Sequence, residues 1–206
     1  MSGAPVFLPA GDPGRFPALL AETGPPPALD LHVRTEALPA VRERYVNVRT
    51  RRLLRMSLER SPVGCADLAW RPVLLTLADL PDIQRLYADG ESTSESPDFF
   101  FPSMLGDNTF FGIREGDDLI AIGGTHLVSD TESVAAIGNV YTRRDHRGRG
   151  LGAATTRAVI EALQLRGIGT IALSVIATNT AAIRVYERLG FTVHCEFFDG
   201  AAAVVS

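Results

Sequence analysis

Gly138-Asn-Val-Tyr-Thr-Arg-Arg-Asp-His-Arg-Gly-Arg-Gly-Leu-Gly152, with the pattern that follows it, decides how this chain is read. Residues 133–142 are small and β-branched and predict a strand. Val134, Ala136, Gly138, Val140 and Thr142 fall on one face, and Ala135, Ile137, Asn139 and Tyr141 on the other. A charged, glycine-rich turn comes next. After it, Leu151, Ala154, Ala158, Ala162 and Leu165 recur at helical spacing.

A glycine-rich turn between a strand and a helix N-terminus suits a phosphate. The first helical N–H groups lack partners within the helix, the helix dipole is positive there, and glycine admits close approach. Arg147 and Arg149 add cationic donors to Gly148, Gly150, Leu151 and Gly152. The competing reading is an ordinary connection with solvated arginines. Gly148, Gly150 and Ala153 also satisfy the dinucleotide fingerprint G-x-G-x-x-G/A. That fingerprint needs an acid about 20 residues later, at the end of the next strand. Here the next strand, residues 170–176, runs into Ala177-Thr178-Asn179, which carries none.

Arg147-Gly-Arg-Gly-Leu-Gly152 matches R/Q-x-x-G-x-G/A, and the chain therefore resembles the GNAT superfamily of N-acyltransferases. Asn179-Thr-Ala-Ala-Ile-Arg-Val-Tyr-Glu-Arg-Leu-Gly-Phe191 looks like that family's second motif, in the right order. The likeness runs from about Arg71 to the C-terminus, and Gly138-Asn-Val-Tyr-Thr142 is similar to the glycine N-acyltransferase-like branch. It implies an α+β GNAT fold, a mixed central sheet flanked by helices. Residues 71–206 would be the acetyltransferase domain, and residues 1–70 an N-terminal accessory region.

The rest of the sequence fits that frame. With 206 residues, 46% of them hydrophobic, the chain has room for one generous core, or a core and a small companion. A formal charge of −4 does not favour nucleic acid. No apolar run approaches the ~20 residues that span a bilayer, and no signal peptide is apparent, so a cytoplasmic location is expected. Cys65 and Cys195 are isolated, without metal-like spacing, and no metal is expected. All 20 basic residues are arginine. Side-chain Nε-acetylation of the chain itself is therefore impossible.

Read in order, residues 16–22 predict a short helical segment ended by Pro25-Pro-Pro27, residues 29–33 a strand and residues 38–45 a short helix. The arginine-rich residues 49–60 read as a partly exposed element with solvated charges. Residues 73–77 predict a strand, and Asp79 a cap for the helix carrying Ile83, Leu86 and Tyr87. Phe99-Phe-Phe101 with Met104-Leu105 is an apolar cluster, core or acceptor pocket. Residues 109–128 predict a hairpin turning at 115–118, and residues 170–176 a buried strand. Asn179 or Thr178 would cap the next helix, ended by Gly190. Residues 191–198 and 201–205 predict two strands turning at Asp199-Gly200.

What the resemblance implies chemically is attack of an amine on the thioester of acetyl-CoA. Backbone amides near Val140, Tyr141 and Thr142 would meet the pantetheine and the carbonyl oxygen. Those of residues 147–152 would hold the pyrophosphate, and Asn179 would contact the cofactor, although a plain helix cap explains it nearly as well. Tyr186 matches the family's general acid to sulfur, with packing as the competing role. The base is open: the position where some members of the family carry a glutamate is Ala136, and His126, Glu91, Glu132 or a chain of waters could serve. The expected activity is acetyl transfer to a small or amino-acid-like amine. A CoA-binding sensor without turnover is the alternative.

Overall fold

The computed structural model describes residues 26–46, 48–58, 70–93, 95–97, 99–107 and 109–204, with positions 6, 7, 15, 17, 18 and 22 before them. Most of the helical segment expected at 16–22, and Cys65, lie outside the described residues. The elements are β1 (Val6–Phe7), β2 (Ala28–Arg34), α1 (Leu38–Arg42), β3 (Arg49–Leu58), β4 (Val73–Leu74), α2 (Leu80–Glu91), α3 (Met104–Asp107), β5 (Phe111–Glu115), β6 (Asp118–Ser129), β7 (Val134–Thr142), α4 (Leu151–Leu165), β8 (Thr170–Ile176), α5 (Thr180–Arg188) and β9 (Phe191–Ala203). The chain forms two compact units. One comprises Met1–Arg55, Val175–Thr180 and Val193–Ser206, the other Met56–Ser174 and Ala181–Thr192.

In the first unit the strand order is β1-β2-β9-β3. β2 alternates as a half-buried strand should, and its Leu29, Leu31 and Val33 pack with Leu38 and Val41 of α1 and with Tyr45. β2 pairs antiparallel with β9 from Ala28↔Ala203 to Arg34↔Phe197. β9 is continuous, so the turn expected at Asp199-Gly200 does not form. Gly200 pairs with Leu31, and a Cβ on it would collide with the carbonyl oxygen of Arg49. The glycine serves a close backbone approach, the other meaning of glycine in a strand.

The second unit has the order β8-β7-β6-β5-β4. β5, β6 and β7 are antiparallel neighbours, and β7 pairs parallel with β8. This mixed sheet with helices on it is the expected α+β architecture. Ile113, Ile120 and Ala121 pack against Leu151 and Ala154 of α4. Ile122 and Tyr141 pack instead with Ile83, Leu86 and Tyr87 of α2 and Met104 of α3.

Local expectations shift in four places. α4 buries Leu151, Ala154, Val159, Ile160 and Leu163, while Leu165 is 91% exposed. The bulkier i, i+4 set takes the core and turns the alanine stripe aside. β8 alternates between buried Ile171, Leu173 and Val175 and exposed Thr170, Ser174 and Ile176, so it is half-buried rather than fully covered. β4 is only two residues long, because Thr76 starts a 3-10 turn over Leu77–Asp79. Asp79 does not cap α2. Its carboxylate accepts from the Thr76 N–H in a capping box and from Arg114 at 2.7 Å.

Candidate active site

The site starts from a fault in the β6–β7 ladder. Gly138 pairs with Gly124 and Tyr141 with Ile122, so one residue of β6, Gly123, faces both Asn139 and Val140. Asn139 takes φ 55, a left-handed value that asparagine tolerates better than most residues. Cross-strand partners share a face, and Ile122 and Gly124 are two residues apart. Gly138 and Tyr141 therefore share a face, although strict alternation separates them. The bulge corrects the two-face pattern expected for 133–142.

The ladder from β7 to β8 runs from Val134↔Thr170 to Ile137↔Leu173 and does not extend along residues 138–142. The last part of β7, including Val140, Tyr141 and Thr142, thus keeps an edge without a β8 partner. Unpaired main-chain donors on such an edge must find another acceptor.

β7 leads through a 3-10 turn at Arg144–His146 into the glycine-rich turn. Gly148 has φ 76 and Gly150 φ 79, and nothing stands within 4 Å of where their Cβ atoms would be. Gly150 is the N-cap of α4 and provides no side-chain cap. The first bond in the helix is Ala154 N–H to the Gly150 carbonyl at 3.0 Å, so the amides of Leu151, Gly152 and Ala153 precede it. The local sequence dictates this form, since two left-handed positions admit glycine readily and most other residues poorly.

The two motif arginines are both held by carboxylates. Arg147 donates to both oxygens of Glu95, at 2.9 and 3.2 Å, and lies over the Tyr141 ring. Arg149 donates to Glu115 at 3.1 Å and stacks on Trp70, whose indole N–H donates to the Arg149 carbonyl at 3.0 Å. Arg147 beside it holds the Glu95 carboxyl below its ordinary range. Sequence reading missed Glu95 and Trp70. The one available signal was that Trp70 is the chain's single tryptophan.

Tyr141 is anchored by its side chain. Its hydroxyl donates to Asp89 at 2.8 Å, and the same carboxylate accepts from the Arg144 N–H at 2.9 Å. Burial, then Asp89, pushes the phenol up to about 12. The Arg144 amide is the first cause holding Asp89 low. Asp89 thereby ties α2 to the start of the phosphate-type turn.

His146 braces the other side of that turn. It is buried, with Nδ1 at 2.6 Å from Asp145 and Nε2 at 3.1 Å from Glu115. Asp145 first, then Glu115, raise its pKa above the ordinary histidine value, while it lowers theirs. A proton on Nδ1 pointing at Asp145 rules out a hydrogen bond from Arg143 Nε at 3.3 Å, which is then only a close contact. A raised folded pKa stabilises below the unfolded value, near 6.5, and the gain disappears as pH rises through the folded pKa. The two carboxylates lose their contribution at acid pH. The stability difference between wild type and His146→Gln should therefore peak between the two ionisations and shrink above neutrality. Thermal melts across pH measure it, and a difference that grows on the alkaline side contradicts the bracing role.

Tyr186 lies on α5 in the same unit, 8% exposed, its ring edge-on to Phe191 at 6.1 Å. Burial pushes its pKa up to about 12, so the phenol holds its proton at neutral pH. Among the described residues its hydroxyl has no hydrogen-bond partner. Asn179 immediately precedes α5 and belongs to the first unit, and its N–H donates to Ile176 O at 2.8 Å.

The candidate bases separate clearly. Glu91 ends α2 exposed, and Glu132 is exposed on the β6–β7 turn. Ala136 faces Leu127. His126 is the extra residue of a second irregularity, between Thr125↔Ile137 and Leu127↔Ala136. Its ring lies against Gly138 and meets Phe99 edge-on at 5.4 Å. Desolvation holds its pKa below the ordinary value, partly opposed by Asn139. Among the described residues no group of three His, Cys, Asp or Glu gathers as a metal site, and no helix is long and apolar enough to cross a membrane.

Known proteins resemble this chain in sequence and in fold. The mycothiol acetyltransferase of Rhodococcus jostii (strain RHA1) is 30% identical over 209 residues, covering 86% of this chain and 65% of that protein. The ribosomal protein bS18-alanine N-acetyltransferase of Escherichia coli (strain K12) is 36% identical over 81 residues, 39% of this chain and 53% of that protein. The chain thus spans about half the length of the latter relative. A GNAT-family structure from Novosphingobium aromaticivorans DSM 12444 superposes with a TM-score of 0.67 at 25% identity, over 88% of this chain and 70% of that one. A tandem GNAT protein from the clavulanic acid biosynthesis pathway shares the fold at TM-score 0.66 and 14% identity, over 99% and 77%. The model of the acetyltransferase (GNAT) family matches residues 77–191, more than half of the sequence, and the chain belongs to that family.

Proposed function

We propose that the chain is an N-acetyltransferase that uses acetyl-CoA and delivers the acetyl group by direct attack of a primary amine. The observation that carries the reading is a path of main-chain donors in two parts, separated by the amides of Arg143, Arg144, His146 and Arg147, which bond within the protein. It begins at the edge of β7 beyond Ile137, passes the left-handed Gly148 and Gly150, and ends at the uncapped start of α4. Its shape fits a pantetheine followed by a pyrophosphate. Val140, Tyr141 and Thr142 would hold the pantetheine and carbonyl oxygen through the backbone. Arg147, Gly148, Arg149, Gly150, Leu151 and Gly152 would hold the pyrophosphate, and Asn179 would contact the same molecule. When bound, acetyl-CoA supplies an activated thioester. Tyr186 holds the proton destined for its sulfur.

The acceptor we propose is a small or amino-acid-like amine, on the wording of residues 138–142; the relatives themselves are named for an alanine of a ribosomal protein and for mycothiol. Residues 71–206 would carry the transferase and residues 1–70 would be accessory to it, in a cytoplasmic protein acting on neither nucleic acid nor membrane, and without a metal. Ala136, where some members of the family have a glutamate, favours one alternative, a CoA-binding sensor without turnover. Acetyl-CoA and CoA should raise the melting temperature while NAD does not. Binding to the native state alone adds about 2.7 kcal/mol at a hundredfold excess over Kd. Equal shifts with NAD and CoA would falsify the assignment. Release of free thiol from acetyl-CoA in the presence of amines separates transferase from sensor.

A further inference from the structure

We propose that His126 is the catalytic base of this site and takes the proton that the acceptor amine must lose. The assignment rests on the transferase reading above and supplies the base that Ala136 cannot. Its first support is position. His126 is the extra residue of β6 between the Ile137 and Ala136 rungs, next to Ile137, the last residue of β7 paired with β8. The ring occupies the space of the missing Gly138 side chain, since a Cβ there would run into the imidazole. Glycine at 138 thus gives an aromatic base a seat against the strand that would hold the thioester.

The surroundings suit a neutral imidazole that cycles its proton. Phe99 meets the ring edge-on, and Phe99 itself meets Phe101 edge-on at 5.0 Å. The group facing the ring from β7 is Asn139, 4% exposed, whose side-chain nitrogen donates to Met104 sulfur at 3.8 Å and whose oxygen is buried without a partner in hydrogen-bond geometry. Asn139 beside the ring favours its protonated form and partly offsets the desolvation that favours the neutral one. Among the described residues no carboxylate or guanidinium bonds His126, so no fixed charge locks it in one state. The residue is otherwise exposed, and its proton can pass to water.

The balance closes. The amine nitrogen forms its bond to the carbonyl carbon and the carbon–sulfur bond breaks with its pair on sulfur. One proton goes from nitrogen to His126 and one from Tyr186 to sulfur. Solvent then takes a proton from the imidazolium and returns one to the tyrosinate.

Single-turnover acetyl transfer to an alanine-initiated peptide, glycinamide and ethanolamine tests this. His126→Gln should lower the rate roughly 10²–10⁴-fold at neutral pH. It should also remove the acid limb of the kcat/KM profile while leaving CoA-induced melting shifts intact. Glu132→Gln, on the exposed turn, should match wild type. Added imidazole should restore part of the rate in His126→Ala, a rescue that a packing role would not give. A His126→Gln rate within threefold of wild type, with the acid limb kept, overturns the assignment alone. Absence of transfer by the wild type to every amine overturns the transferase reading, and this assignment with it.

Discussion

Tyr186→Phe should bind acetyl-CoA and melt like the wild type, yet transfer the acetyl group roughly 10²–10⁴-fold more slowly in a single turnover. The ring and its contact with Phe191 survive the change, and no described residue loses a hydrogen bond. Little else than proton donation is therefore removed. A phenol held at about 12 is protonated throughout the neutral range, as a donor to a departing thiolate must be. Single-turnover measurement matters because slow product release masks a chemical defect in steady-state kcat. Unchanged transfer takes Tyr186 out of the mechanism. Lost stability with unchanged transfer makes it a core residue.

Gly150→Asp should abolish the melting shift produced by acetyl-CoA. Nothing lies within 4 Å of the new Cβ, so the side chain enters open space at the mouth of α4. A left-handed residue costs about 1–2 kcal/mol, partly offset because aspartate is a favoured N-cap and its charge complements the helix dipole. The variant should therefore fold, and its defect should be electrostatic. Gly150→Ala carries the backbone strain without the charge and is the control. Calorimetric titration that finds wild-type affinity in Gly150→Asp would mean that the pyrophosphate lies elsewhere.

Features written in consecutive residues could be read before the fold was seen. The glycine-rich turn at 147–152 and the strand at 29–33 read directly from the sequence, and the 179–191 wording gives a helix ended at Gly190, whose φ is 95. What stayed hidden depends on partners distant in sequence. The bulge at Asn139 exists only because Gly123 faces two residues, and nothing near 139 announces it. Gly200 reads as a turn until Arg49 is found beside it. Arg147 looks solvated until Glu95, 52 positions earlier, closes on it. His126 looked like a lone histidine because its seat is an absence, the missing side chain of Gly138.

The β2–β9 ladder also bears on edge-to-edge association. Facing β2, β9 carries Phe197, Phe198 and Ala201–Ala203 on one stretch, with Asp199 as its only charge. Left bare, such a margin is a template on which a second chain can zip. β2 occupies it through seven residues, and the strand beyond β2 is β1, two residues long. β2 thus acts as a selvedge for β9, covering an edge on which a second chain could otherwise pair.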